Sequence, residues 1–256
     1  MTSIEKAENA LNRRIERLQA NLREADSETA RRLLFQSLVV CVGIGEALTD
    51  YVKMIGQFAQ GRHGELKQAQ ATLSARHADL LKSGRDLLER LKANPGDQLL
   101  RKEIELAQQD MAAIQKTLRR GANALQREVA PSMAMIDKLA DSLRRLAEAD
   151  QIDAMKRVIK LVVGHVRELY RAQPTLPAKD IIDAAAWEKS AVSAIDQATD
   201  FHEAHARVGC EVLLAIDLMT MAVSHTPPRT AEEATHRANE SVATRIKDIT
   251  ARFTTN

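Results

Sequence analysis

Apolar residues recur at alternating spacings of four and three on both sides of one tight turn, and this pattern constrains the fold more than any other feature. After the turn the positions run Leu100, Ile104, Ala107, Met111, Ile114, Leu118, Gly121 and Leu125. Before it, Leu66, Leu73, Leu80 and Leu87 stand seven apart. A seven-residue repeat keeps one stripe of an α-helix facing a partner helix. Between the two stripes lies Asn94-Pro95-Gly96-Asp97, a turn whose last residue can cap the next helix. Two such stripes flanking a short turn predict an antiparallel coiled-coil hairpin.

The rest of the chain extends the pattern. Breakers are few, with 10 Gly and 6 Pro in 256 residues. That is too little punctuation for an all-β sandwich or a long βαβ alternation. The other breaks are Gln173 to Pro177 and His225 to Pro228. The spacing predicts helices over about 3–25, 28–93, 97–171, 178–225 and 230–253. Thr2 with Glu5 and Thr230 with Glu233 fit capping boxes, and Ser27 can cap the second helix. The apolar stripe of the third helix resumes at Ile136, Leu139, Leu143 and Leu146, slips phase near Asp150, and continues through Ile152, Ile159, Val166 and Leu169. Pro131 should bend this helix. The fourth carries a stripe that includes Ile195, His202, Gly209, Leu213 and Ile216; its small and polar members predict less apolar packing than in the hairpin.

Folding at residue 95 sets residue r opposite about 190 − r, so 33–59 faces about 131–157. The expectation is one elongated all-α domain. Three long helices form a body over 1–59 and 131–256. A coiled-coil arm over 60–130 projects about 50 Å at 1.5 Å per residue. Short N- and C-terminal helices flank them. The leading helix, apolar through Ile4, Leu11, Ile15, Leu18 and Leu22, should dock on another helix, because its polar face mixes both charge signs. Mid-helix glycines at 43, 45, 56, 164 and 209 suggest places where another backbone approaches closely.

Charge limits the function classes. The net charge is only +2, so the chain as a whole is no general polyanion binder. Residues 116–175, however, hold 12 basic against 7 acidic side chains. Within them Lys116, Arg120 and Arg127, and further on Lys156, Lys160, Arg167 and Arg171, fall on single helix faces away from the apolar stripe. These are the candidate anionic-surface residues. Aromatics make up 3% of the chain, and only Tyr170 lies near the stripes, so base stacking and sequence-specific nucleic-acid readout are disfavoured. Phosphate contact or an anionic leaflet fits better.

Candidate chemistry is sparse. His202 and His205 stand three apart with Asp200 and Glu203 beside them, and His165 with Glu168 repeats that spacing. Helical bundles build di-metal sites from Glu and His on facing helices. Here the Glu-x-x-His order is absent, and His202 on its stripe reads as a hydrogen-bonded core histidine. Glu46 and Asp50 read as a solvated stripe linked to Lys53. Gly43-Ile44-Gly45 lacks the third glycine and the preceding strand of a nucleotide loop. Cys41 and Cys210 lie in apolar stretches and read as buried thiols of a reduced compartment. The longest charge-free apolar run, Leu33 to Gly45, is too short to span a membrane, and no signal pattern opens the chain. A cytoplasmic protein, peripheral to membranes at most, is expected.

In helix number, helix length and the Pro131-bearing middle helix, this arrangement resembles curvature-sensing BAR domains. The abundant Leu stripes and the low aromatic content predict self-association, read as a homodimer. The leading expectation is therefore a non-enzymatic, self-associating scaffold or adaptor without a cofactor, which binds a protein partner or an anionic surface. Two other classes fit the chain. One is a metal-binding bundle on His165, His202 and His205. The other is an elongated helical pore-forming toxin that releases Leu33–Leu48 into a membrane.

Overall fold

The computed structural model describes residues 1–172, 183–224 and 226–254, with the side chains of 122–128 and of Ala184 left out. Those residues fold into helices α1 (Ser3–Glu24), α2 (Glu28–Ala93), α3 (Gln98–Glu148), α4 (Ile152–Ala172), α5 (Ala184–Asp196), α6 (Phe201–Ala222) and α7 (Ala231–Thr254). No strand occurs among them. The protein is an all-α helical bundle. The chain divides into two compact units, one of residues 1–58 and 131–256, the other of 59–130.

Helix starts follow the local chemistry. Thr2 Oγ1 accepts the Glu5 amide, and Glu5 returns the contact to the Thr2 amide. Ser27 accepts from the Ala30 amide at 3.1 Å. Asp97 accepts from Leu99 and Leu100 at the start of α3. Thr230 accepts from the Glu233 amide, while Glu233 reaches past it to the Arg229 amide.

Two expected long helices are broken. The third, expected over 97–171, ends at Glu148 and restarts at Ile152. The phase slip at Asp150 marks this break: a continuous helix would have turned one of its two apolar stripes to solvent. The fourth, expected over 178–225, is interrupted between Asp196 and Phe201. Asp200 caps α6 by accepting from the His202 amide at 2.6 Å. A carboxylate in that role requires a non-helical backbone at its own position, which stops the preceding helix. The arrangement of three uninterrupted helices that carried the BAR resemblance is therefore not the one found. The break at Gln173 to Pro177 lies outside the described residues. α3 runs through Pro131, where the division between the units falls.

In the first unit α6 is the central element. It packs against α4, α5 and α7. Buried residues surround it, from Ala204, His205 and Val208 to Asp217, Leu218 and Met219. A helix apolar all round is one enclosed by others. The expectation that this stretch packs less apolarly than the hairpin is overturned, because its small residues admit neighbours and the helix is enclosed. At Gly209 a Cβ would overlap Val40 of α2, and at Gly43 it would meet Ile249 and Leu213 at 3.3 and 3.4 Å. These neighbours are side chains rather than the backbone expected, and Gly45, Gly56 and Gly164 have nothing within 4 Å of such a Cβ. Around α6 the core gathers Leu11 of α1, Ile44, Leu48, Tyr51 and Ile55 of α2, Leu139 and Leu143 of α3, Ile159 and Val166 of α4, and Ala234 and Ala238 of α7. The leading helix is docked, with Ala7, Ala10, Leu11 and Leu18 buried.

An eighteen-residue window of α2 has a mean hydropathy of 1.5, apolar enough to cross a membrane, and 56% of that window is buried inside the bundle. The expectation from the charge-free run was too strict, since a span tolerates one or two charges within it.

The second unit is a helical hairpin of the distal part of α2 and the proximal part of α3. The better-covered residues on α2 are Arg62, Leu66, Gln70, Leu73, His77, Leu80, Gly84, Leu87 and Leu91. On α3 they are Asp97, Leu100, Ile104, Ala107, Met111, Ile114, Leu118 and Gly121. Both sets step by threes and fours, alternating from Leu66 onward on α2. Gln115 lies 3.3 Å from His77, and Gly121 faces Gln70, which sets the register of the pair.

Candidate binding surfaces

The hairpin has an inner seam and an unusual outer surface. Only Leu100 and Ile114 of its apolar residues up to Gly121 are fully buried. Outside the seam Leu81 and Leu88 are 42% and 47% exposed, and Leu99 and Leu106 are 74% and 62% exposed. Each pair is seven residues apart and so repeats along one helix face. The repeats through Leu66, Leu73, Leu80 and Leu87 and through Leu100, Ile104 and Ala107 do not include these four. Leu80-Leu81, Leu87-Leu88 and Leu99-Leu100 are doublets, and a doublet on a helix cannot put both members on a single seam.

The cationic candidates have different fates. On the hairpin Lys116 and Arg120 are exposed, and the Arg127 side chain lies outside the described residues. In the other unit Lys156 is folded down, 26% exposed, with Asp196 of α5 at 2.5 Å and Asp153 at 3.6 Å. Lys160 reaches Glu188 of α5 at 3.7 Å. These two lysines link α5 to α4, Lys156 by a close pair and Lys160, 59% exposed, by a looser one. Arg167 and Arg171 are exposed on α4, next to Glu168, which pairs with Lys138 of α3.

The histidines do not converge. His165 Nε2 lies 3.0 Å from Ser142 Oγ of α3, and burial together with Lys138 lowers its pKa. His205 is fully buried, with Nδ1 2.8 Å from Ser37 Oγ of α2. Burial first, then the nearby charge of Arg14, pushes its pKa down to about 3, so the ring is neutral. The core histidine is thus His205, and His202 is only half-buried; the helix restart at Asp200 rotates the phase on which His202 was placed inside. Among the described residues no group of three His, Cys, Asp or Glu side chains is placed to hold a metal ion.

Glu46 and Asp50 are not a stripe paired with Lys53. Arg252 of α7 meets Glu46 at 2.7 Å, and Arg245 of α7 meets Asp50 at 3.1 Å. Arg245 also lies 3.8 Å from the buried Asp217 of α6, whose pKa is raised by burial. Asp217 had a sequence signal, a lone carboxylate within Val212-Leu213-Leu214-Ala215-Ile216-Asp217-Leu218-Met219. Cys41 and Cys210 are both free thiols; burial raises their pKa to about 12 and about 11, which leaves neither a nucleophile.

No protein-family model, curated protein or solved structure matches this chain.

Proposed function

We propose that this chain is a non-enzymatic, self-associating helical scaffold, and that the hairpin of residues 59–130, read as an antiparallel coiled coil, is its recognition element. The observation that carries the reading is the exposure of Leu81, Leu88, Leu99 and Leu106 in two seven-residue pairs on a hairpin whose own seam is already occupied. Leucines at such spacing, left outside a two-helix seam, are the surface that further helices cover in a larger coiled coil. The partner that presents the same pattern is a second copy of the hairpin. The chemistry available elsewhere supports a binding rather than a catalytic role. Ser37 and His205 form a hydroxyl–imidazole pair, but neither has exposed surface.

Light scattering after size exclusion tests this on the full chain. The wild type should run as a dimer or higher oligomer. Combined Leu81→Ser, Leu88→Ser, Leu99→Ser and Leu106→Ser should give a monomer with unchanged helical circular dichroism. A monomeric wild type, or a variant that still associates, would refute the proposal.

A further inference from the structure

Arg14 of α1 lies against the first turn of α6. Its guanidinium carbon is 5.1 Å from the centroid of the Phe201 ring. The His202 and His205 rings are 5.5 Å and 6.4 Å from the same ring, centroid to centroid. Four nitrogens in this neighbourhood are buried and have no hydrogen-bond partner among the described residues. They are Nε and Nη2 of Arg14, Nδ1 of His202 and Nε2 of His205. The groups that act electrostatically on Arg14 are Cys41, whose buried thiol is neutral, and Arg17, and no carboxylate is among them. The carboxylate beside His202, that of Asp200, is engaged in capping α6.

Such a cluster needs an explanation. Buried polar groups in folded proteins are nearly always paired, and a buried charge without a counter-charge is costly. The two orphans of Arg14 are donors only, and each orphaned imidazole nitrogen is a donor in one of its two tautomers. Nε and Nη2 form the edge of a guanidinium that presents two parallel N–H groups, the geometry that matches a carboxylate or phosphate. In the tautomer in which the Ser37 hydroxyl donates to Nδ1 of His205, the ring proton sits on Nε2 and makes it a donor too. A metal cation does not suit a site with a fixed guanidinium. A water molecule satisfies donors but brings no counter-charge to the half-buried Arg14 beyond the face of the Phe201 ring. A pocket of about 310 Å³ at the junction of α1 and α2 adjoins the cluster through His202, with Asn21, Glu24, Leu33, Leu34 and Asp200 also in its wall. The geometry points to a binding site for a small oxyanion, a phosphate or a carboxylate, gripped by the Nε/Nη2 edge of Arg14 with His202 and His205 donating beside it.

Thermal melts and titration calorimetry on the full chain test this, with sodium phosphate, sodium acetate and sodium chloride as probes at matched ionic strength. Phosphate or acetate should raise the melting temperature saturably above the chloride control, and whichever acts identifies the class of anion. Arg14→Met should abolish that response. Arg14→Lys keeps the charge but loses the fork, and should weaken binding about tenfold or more. No response of the wild type to either oxyanion beyond chloride overturns the inference, as does an undiminished response in Arg14→Met. Should Arg14→Met fail to fold, Arg14→Lys decides: wild-type affinity in that variant overturns it equally.

Discussion

Ser37 Oγ of α2 lies 2.8 Å from Nδ1 of His205 on α6, and neither side chain reaches solvent. The imidazole is held neutral, with its pKa pushed down to about 3 from 6.5. The unfolded chain takes up a proton near pH 6.5, and the folded chain does so only near pH 3. Stability from this group is therefore complete above pH 6.5 and is lost as pH falls from 6.5 toward 3. The slope is at most about 1.4 kcal/mol per pH unit from a single group. Urea melts in phosphate-free buffer should show it, and His205→Gln should flatten it. An unchanged slope in His205→Gln would place the acid sensitivity elsewhere.

Gly209 and Val40 give a test of packing. An added Cβ at Gly209 overlaps Val40, so Gly209→Ala should cost about 1–3 kcal/mol by overpacking. Val40→Ala removes the methyl groups in the way, so the double variant should be more stable than the sum of the two single losses. Gly45→Ala and Gly164→Ala meet nothing within 4 Å and should instead gain about 0.5–1 kcal/mol from helix propensity. Denaturant midpoints of the five proteins measure this, and a neutral Gly209→Ala would refute the close approach.

The contrast among these glycines shows what the sequence made legible. Helix type, the caps at Thr2, Ser27, Asp97 and Thr230, and the turn at Pro95-Gly96 depend on residues within a few positions of one another, and they were readable. The break before α6 was readable in principle, since Asp200 with Glu203 three residues later is a helix-start pattern inside an apolar segment. Taking one phase across that break moved the buried position from His205 to His202. The pairing of Glu46 with Arg252 spans 206 residues, and no local period carries it. The same holds for Lys156 with Asp196, because an exposed stripe and a stripe that ties down a neighbouring helix have identical spacing.

Asp217 and Arg245 form a polar contact inside the α6–α7 interface. Asp217 is 7% exposed by side chain and Arg245 17%, with 3.8 Å between them. Removing the guanidinium by Arg245→Met leaves the carboxylate facing only Asp50 and Ser241 and should cost about 1–3 kcal/mol at neutral pH. The raised pKa of Asp217 gives the sign with pH. The folded state holds this proton more tightly, so its contribution is greatest at acid pH and is lost as pH rises. Adding Asp217→Asn to Arg245→Met should therefore recover stability at pH 7 more than at pH 4. Recovery equal at both values would show that Asp217 is not the group responsible.

The cationic face of α4 allows a sharp test of the membrane branch. Lys156 and Lys160 are already held by Asp196, Asp153 and Glu188, so only Arg167 and Arg171 of the four candidates are without an ion pair among the described residues. A free basic side chain near an anionic leaflet contributes about 1 kcal/mol. Two of them contribute about 2 kcal/mol, and at physiological salt the screening length of about 8 Å reduces this further. That is too little to hold a 256-residue chain on a vesicle by this face alone. Co-sedimentation should therefore show little more binding to anionic than to neutral vesicles. Combined Lys156→Gln, Lys160→Gln, Arg167→Gln and Arg171→Gln should leave vesicle binding unchanged while lowering the melting temperature, because two of the four positions tie α5 to α4. Strong, salt-sensitive binding to anionic vesicles that this variant loses would reverse the ranking and make α4 a membrane-facing surface.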